Sequence, residues 1–174
     1  MNIRRSYTLI RRALFALIIL VLHLFQFTVI PLTGLSFPVL LLLPMGVAVA
    51  MAEKEFPAVF YGILIGVLWD SASPVTDGLW AFVFPVMLCI AGLLTHYTLR
   101  NTLLTALIFT LTGTVIYLAA VSLYDTGSFS FEIMGDIIKQ QWIPVIITSL
   151  IICIPEYFLT KKIAKIFHHD KVSY

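Results

Sequence analysis

Charge is what this chain has least of. Only 11% of its 174 residues are Asp, Glu, Lys or Arg, against roughly 25% in a soluble globular domain. With 60% hydrophobic residues and a mean hydropathy of +1.02, the composition excludes a water-soluble domain and indicates an integral membrane protein. The net charge of +2 is too small to suggest a nucleic-acid partner. Cysteine is nearly missing: Cys89 and Cys153 sit in apolar runs without spaced partners, so no disulfide framework is implied and both read as small buried hydrophobes. The sequence has no glycine-rich phosphate loop and no helical His-Glu spacing for a metal. Its serines and threonines have no histidine and carboxylate companions at a shared depth, so nothing recommends an enzyme. No cofactor or metal is expected, and no internal repeat, low-complexity tract or second domain is found.

What is there is a succession of apolar runs. Arg4, Arg5, Arg11 and Arg12 precede an uncharged run over 13–30, about 18 residues, enough to cross a hydrocarbon core of roughly 30 Å. No small-residue cleavage site precedes Pro31, so this run reads as a retained span rather than a signal peptide. Residues 31–38, with Pro31, Gly34 and Pro38, read as a turn. A kinked second span is expected over 38–52, with Pro44 and Gly46 inside it, and Glu53-Lys54-Glu55 then marks a water-facing boundary. Pro57 suits the first turn of the next helix. The third run, 56–70, is short: its apolar part covers roughly 21 Å, so it borrows length at its ends, thins the bilayer or re-enters. Spans over 79–97, with Pro85 and Gly92 as kink points, and over 102–124 follow. Residues 125–141 read as an amphipathic surface segment in which Ser130 caps a helix and Phe131, Met134 and Ile138 share a face. A last span over 142–159 ends in Lys161, Lys162 and Lys165. The expected fold class is all-α: one polytopic membrane domain over 1–174, six transmembrane helices, both termini cytoplasmic.

Charge placement supports that topology. With six spans and the N-terminus inside, Arg4, Arg5, Arg11, Arg12, Lys54, Arg100, Lys161, Lys162, Lys165 and Lys171 are inner, and only Lys139 is outer. Ten of the eleven basic residues then follow the positive-inside rule. Five spans would put one basic terminus on the wrong side, which argues for residues 56–69 as a true crossing. Trp69, Trp80 and Trp142 fall at the expected outer boundary, where amphipathic rings favour the headgroup region. Asp70, Asp77, Asp125, Glu132 and Asp136 fall there too, so the outer surface is acidic and the inner one basic.

The chain is organised around residues 61–81. On a helix Gly62, Gly66 and Asp70 lie at i, i+4 and i+8, one stripe that is smooth where the glycines are and charged at its end. Small residues four apart let another backbone approach closely within a membrane, and an intramembrane acid needs a partner. Asp70 therefore reads either as a helix-end carboxylate solvated at the interface or as an acceptor tying the third helix to the polar turn or to a partner protein. His23, alone within the first span, reads as a polar group bonded to a neighbouring helix rather than a proton relay. Glu156, after Pro155 near the inner end of the last span, reads as snorkelling towards Lys161 or Lys162. His168 and His169 lie in a basic tail and read as solvated.

The segment Gly62-x-x-x-Gly66-x-x-x-Asp70, followed eight residues later by Gly78-Leu79 and then Ala81, resembles the rod shape-determining protein MreD family of bacterial cell-wall elongation. The length, the arginine-bearing start, Arg100-Asn101 after the fourth span, and Pro155 followed by Lys161-Lys162 agree with it. Pro74 and Asp77 depart from the family's usual glycine and apolar residue, and Thr148 and Ser149 stand where an asparagine is common, while the Asp70 to Gly78 spacing is kept. The resemblance implies a non-enzymatic scaffold of the cytoplasmic (inner) membrane that binds membrane lipid and the bitopic protein MreC. It would work in one complex with MreB, RodA and a class B penicillin-binding transpeptidase. On this reading Gly62, Gly66, Asp70, Gly78 and Ala81 serve helix packing or partner binding. The family is also similar in fold to the vitamin-binding subunits of energy-coupling-factor transporters. That implies an alternative, a small-molecule pocket beneath the outer loops at 31–38, 70–78 and 125–141. Docking of a coupling subunit in such transporters uses alanines four apart on an inner-facing helix. Ala13 and Ala16 are three apart, while Ala48 and Ala52 have the spacing.

Overall fold

A computed structural model describes residues 3–34, 37–53, 55–72, 78–126 and 141–167, and every regular element among them is helical. The six long helices are α1 (Ile3–Leu24), α2 (Leu42–Ala52), α3 (Glu55–Ala72), α4 (Leu79–Tyr97), α5 (Leu103–Thr126) and α6 (Ile143–Ile166). Among the described residues four helical stretches are long and apolar enough to cross a membrane: Tyr7–Leu32, Leu79–Tyr97, Leu103–Leu123 and Ile143–Ile166. Leu42–Ala52 and Phe56–Ala72 are shorter apolar helices. The amphipathic segment expected over 125–141 falls, for 127–140, outside the described residues, as do Lys54, Pro74, Asp77, His168, His169 and Lys171.

The centre of the bundle is α2. Every residue from Leu42 to Met51 is buried, and a helix apolar on all sides belongs in a core rather than at a surface. It packs against α1, α3, α4, α5 and α6, and α3 and α4 pair along their lengths beside it. In contrast, α1 and the turn that follows it lie on the periphery and meet the bundle mainly through Phe15 and Ile19 of the helix and Gln26 of the turn.

The expectation of a kinked span over 38–52 is corrected. Helix begins only at Leu42, and Pro44 falls in its first turn, where a backbone N–H has no intrahelical acceptor, so the proline costs no hydrogen bond and sets no kink. Residues 38–40 are irregular, yet Leu40 and Leu41 are buried. Irregular backbone in an apolar interior needs hydrogen-bond partners from the protein itself. Gln26 supplies them: its Oε1 accepts from the N–H of Leu41 at 2.7 Å and from that of Leu42 at 3.1 Å. Gln26 sits in a π-helical turn, Phe25–Val29, followed by a 3-10 turn, Ile30–Thr33, that ends at Gly34 with φ of +70°. Pro31 explains the change of helix type, because it offers no N–H and its ring crowds the carbonyl four residues back.

Side-chain contacts fix an alternating, antiparallel order with two poles. At one pole the Tyr61 hydroxyl donates to the Arg12 carbonyl, Asn101 Nδ2 donates to the Met51 carbonyl, and the Tyr157 hydroxyl donates to the Asn101 carbonyl. Thus the N-terminal half of α1, the α2–α3 and α4–α5 connections and the C-terminal half of α6 lie together. Gln26, the start of α2, the end of α3 and the start of α4 lie at the opposite pole. Replacing Gln26 with Leu strands two buried donors and is expected to cost about 1–3 kcal/mol. A lower midpoint on SDS titration in mixed micelles and faster amide exchange at Leu41 and Leu42 are the measurements. An unchanged midpoint contradicts this account of the start of α2.

Candidate functional site

The stretch 61–81 forms one device, the α3–α4 lock. Helix α4 begins at Gly78, whose φ of +85° is a left-handed conformation that suits glycine and whose lack of a side chain leaves the first turn without its own cap. Asp70 fills that role from the end of α3. Its Oδ1 accepts from the Trp80 N–H at 3.3 Å and its Oδ2 from the Ala81 N–H at 2.7 Å. Those are the second and third donors of α4, the ones an N-cap side chain ordinarily takes, and the carboxylate also meets the positive end of the helix dipole.

Below this cap the glycines set how near the helices come. A Cβ on Gly62 would meet Pro85 Cα at 2.5 Å and Pro85 N at 2.8 Å. A Cβ on Gly66 would overlap the Trp80 carbonyl oxygen and lie 2.6 Å from Ala81 Cα. Both neighbours are backbone, which has no flexible end to swing away. The structure therefore brings Gly62, Gly66, Asp70 and Ala81 into a single contact within the chain, while Gly78 starts α4 with open space around it. A partner helix seated on the Gly62–Gly66 face is ruled out by the same geometry, since α4 already fills it.

Next to the lock is an aromatic cluster. Trp69 meets Tyr117 and Phe27 edge-on and Phe84 at a tilt, at 5.2–5.6 Å between ring centres, and Trp80 lies 5.0 Å from Tyr117 and 5.5 Å from Phe84. Trp69 and Trp80 are only 3% and 2% exposed, which corrects their expected place as interfacial anchors: their rings are core, and Trp80 Nε1 has no hydrogen-bond partner. A cavity of about 320 Å³ opens against this cluster, lined by Phe27, Phe37, Trp69, Tyr117 and Gln26 among others.

The remaining sequence candidates stand apart from the lock. His23 tilts against Phe27 at 4.9 Å, and its buried Nδ1 makes no hydrogen bond, so the expected bond to a neighbouring helix is not formed through that atom. Glu156 is buried, with Oε2 unpartnered, so it does not snorkel towards Lys161 or Lys162. It shares a face of α6 with Ser149, Cys153 and Thr160, a face turned to α2 and α5: Thr110 Oγ1 on α5 donates to Cys153 Sγ at 3.3 Å, and Thr160 Oγ1 lies 3.8 Å from Met45 Sδ. No cluster of three or more His, Cys, Asp and Glu side chains able to hold a metal occurs among the described residues.

Two functional side chains escaped the sequence reading. Gln26 was legible as the one amide in the uncharged run over 13–30. Glu53 was read as water-facing, but it is buried, 2.7 Å from Arg11 Nη2 and 3.9 Å from Arg12 Nε. At 2.7 Å the Arg11–Glu53 contact is a close ion pair, and Arg12 stands farther off. Burial pushes the Glu53 carboxyl above the usual carboxylate range, while Arg11 and Arg12 pull it back down. An acid raised in the folded state favours folding most at low pH, so its contribution declines as pH rises through the folded value and is flat above it.

The lock generates a sharp expectation. Gly66→Ala already overlaps backbone and should destabilise by about 1–3 kcal/mol, with Gly66→Leu worse. Asp70→Ala should cost about 0.5–2 kcal/mol, and Asp70→Asn, which keeps one acceptor, less. SDS titration and monodispersity in detergent report all four, and a Gly66→Leu protein as stable as the parent would disprove the close approach.

No family model, curated protein or solved structure matches the chain.

Proposed function

We propose that the protein is a non-enzymatic scaffold of the bacterial cytoplasmic membrane, of the rod shape-determining MreD type. In this reading it binds MreC and through it joins MreB, RodA and a class B penicillin-binding transpeptidase. The observation that carries the reading is that the residues bearing the resemblance converge on one lock between α3 and α4. Their spacing is thus a packing requirement, which suits a protein whose task is to hold a fixed surface towards partners. The glycine face is occupied within the chain, so MreC binds elsewhere. The outward ridge of α3 and α4, with Phe60, Phe82 and Val86 exposed, is the nearest available apolar surface.

Six crossings with cytoplasmic termini accompany this reading. The basic pole of the bundle is then inner and the aromatic pole outer, in keeping with the positive-inside count. Helix α2 alone covers only about 16 Å, so a crossing there also needs the irregular residues 38–41 ahead of it.

Three measurements test the proposal together. Tagged protein extracted from membranes should retrieve MreC and should restore rod shape to cells lacking their own MreD, and alkaline phosphatase should be active when fused after Gly34 and inactive after Arg100. Stably inserted protein that retrieves no MreC and leaves the cells round sinks the scaffold reading.

The aromatic cavity of about 320 Å³ favours a second reading, a vitamin-type substrate-binding subunit. Against it, Ala48, one of the alanine pair with docking spacing, is 2% exposed within the core. A vitamin that co-purifies, or that raises the melting temperature when added, would replace the scaffold reading with this one.

A further inference from the structure

The basic pole carries a second concavity that the lock does not use. Where α1 crosses α3, Tyr61 joins them through its hydroxyl bond to the Arg12 carbonyl and its edge-on contact with Phe15 at 6.3 Å. Beside this crossing lies a groove of about 410 Å³, its walls Ala16 on one side and Phe56, Phe60 and Leu64 on the other, with Arg12 at its mouth. Phe56 and Phe60 are 80% and 69% exposed, so the apolar wall is uncovered. From Phe56 to Leu64 the wall rises roughly 12 Å along the helix axis, most of the ~15 Å depth of one leaflet.

Charge decides what fits. Glu53 is held at 2.7 Å by Arg11, whereas Arg12 reaches it only at 3.9 Å and keeps a side chain 45% exposed. Among the described side chains here one acid stands against two guanidiniums, and Arg12, the more distant and more exposed of the two, lines the groove. An apolar channel of leaflet depth with a cation at its rim matches a molecule with a hydrocarbon chain and an anionic head.

We propose that this α1–α3 groove seats an acyl chain of an anionic phospholipid whose phosphate rests on Arg12. The lipid then staples the peripheral α1, which few other contacts hold, to the central bundle. The inference needs only a membrane-embedded chain and stands apart from the MreC reading.

The test uses full-length protein in mild detergent, with lipid retention read by native mass spectrometry and stability read by melting temperature. Phosphatidylglycerol, phosphatidylcholine of the same chain length and soluble glycerol 3-phosphate are the three probes. Phosphatidylglycerol should be retained at least fivefold better than phosphatidylcholine and should raise the melting temperature, and glycerol 3-phosphate should do neither. Arg12→Gln should cut the preference about fivefold, the effect of one basic side chain on an anionic headgroup. Arg12→Lys should keep most of it, and the Tyr61 bond to the backbone carbonyl at position 12 survives both changes. Ala16→Phe, which fills the groove, should lower retention of both lipids. Equal retention of the two lipids, an unchanged preference in Arg12→Gln, equal losses in Arg12→Gln and Arg12→Lys, or stabilisation by glycerol 3-phosphate alone would each overturn the proposal.

Discussion

Helix starts that pack against neighbouring helices carry donors that need a partner from the protein, and the architecture of this chain follows from how two of them are met. Helix α2 begins within the bundle, and Gln26 of the preceding segment accepts from Leu41 and Leu42. Helix α4 begins at a glycine without a cap, and Asp70 of the preceding helix accepts from Trp80 and Ala81. In both cases a polar side chain at the end of one helix closes the start of the next. A buried donor left open costs about 1–3 kcal/mol, so each cap also fixes the register between consecutive helices.

The second cap explains why the glycines are where they are. An aspartate can reach the second and third N–H groups of α4 only if α3 lies almost against that helix, and Gly62 and Gly66 remove the side chains that would hold the backbones apart. Close approach in turn places Trp69 and Trp80 in tilted or edge-on contact with Phe84 and Tyr117, so the aromatic cluster is a consequence of the lock. The stripe that looked available for a partner is instead covered by α4 of the same chain.

At the other pole the organising groups are charged. Arg11 and Glu53 pair across α1 and the α2–α3 connection, and hydroxyl and amide bonds from Tyr61, Asn101 and Tyr157 tie three further segments to the same end. One pole is thus aromatic and the other basic and ion-paired, an asymmetry that a membrane with anionic lipid on one side can read.

The sequence by itself determined the class of the protein, the helical segments and the importance of residues 61–81. Apolar run length and the scarcity of charge leave few other outcomes, and a Gly-x-x-x-Gly-x-x-x-Asp pattern is a local, periodic signal. Only the tertiary structure decided what that stripe touches, since periodicity gives a face but not its neighbour. It also decided that Glu53 is buried and that Trp69 and Trp80 are core rather than anchors, because both depend on helices distant in sequence covering them. Pro44 looked like a kink and proved to be a helix start, since a proline's effect depends on which turn it occupies. That turn was set by Gln26, eighteen residues earlier, through bonds no local pattern announces.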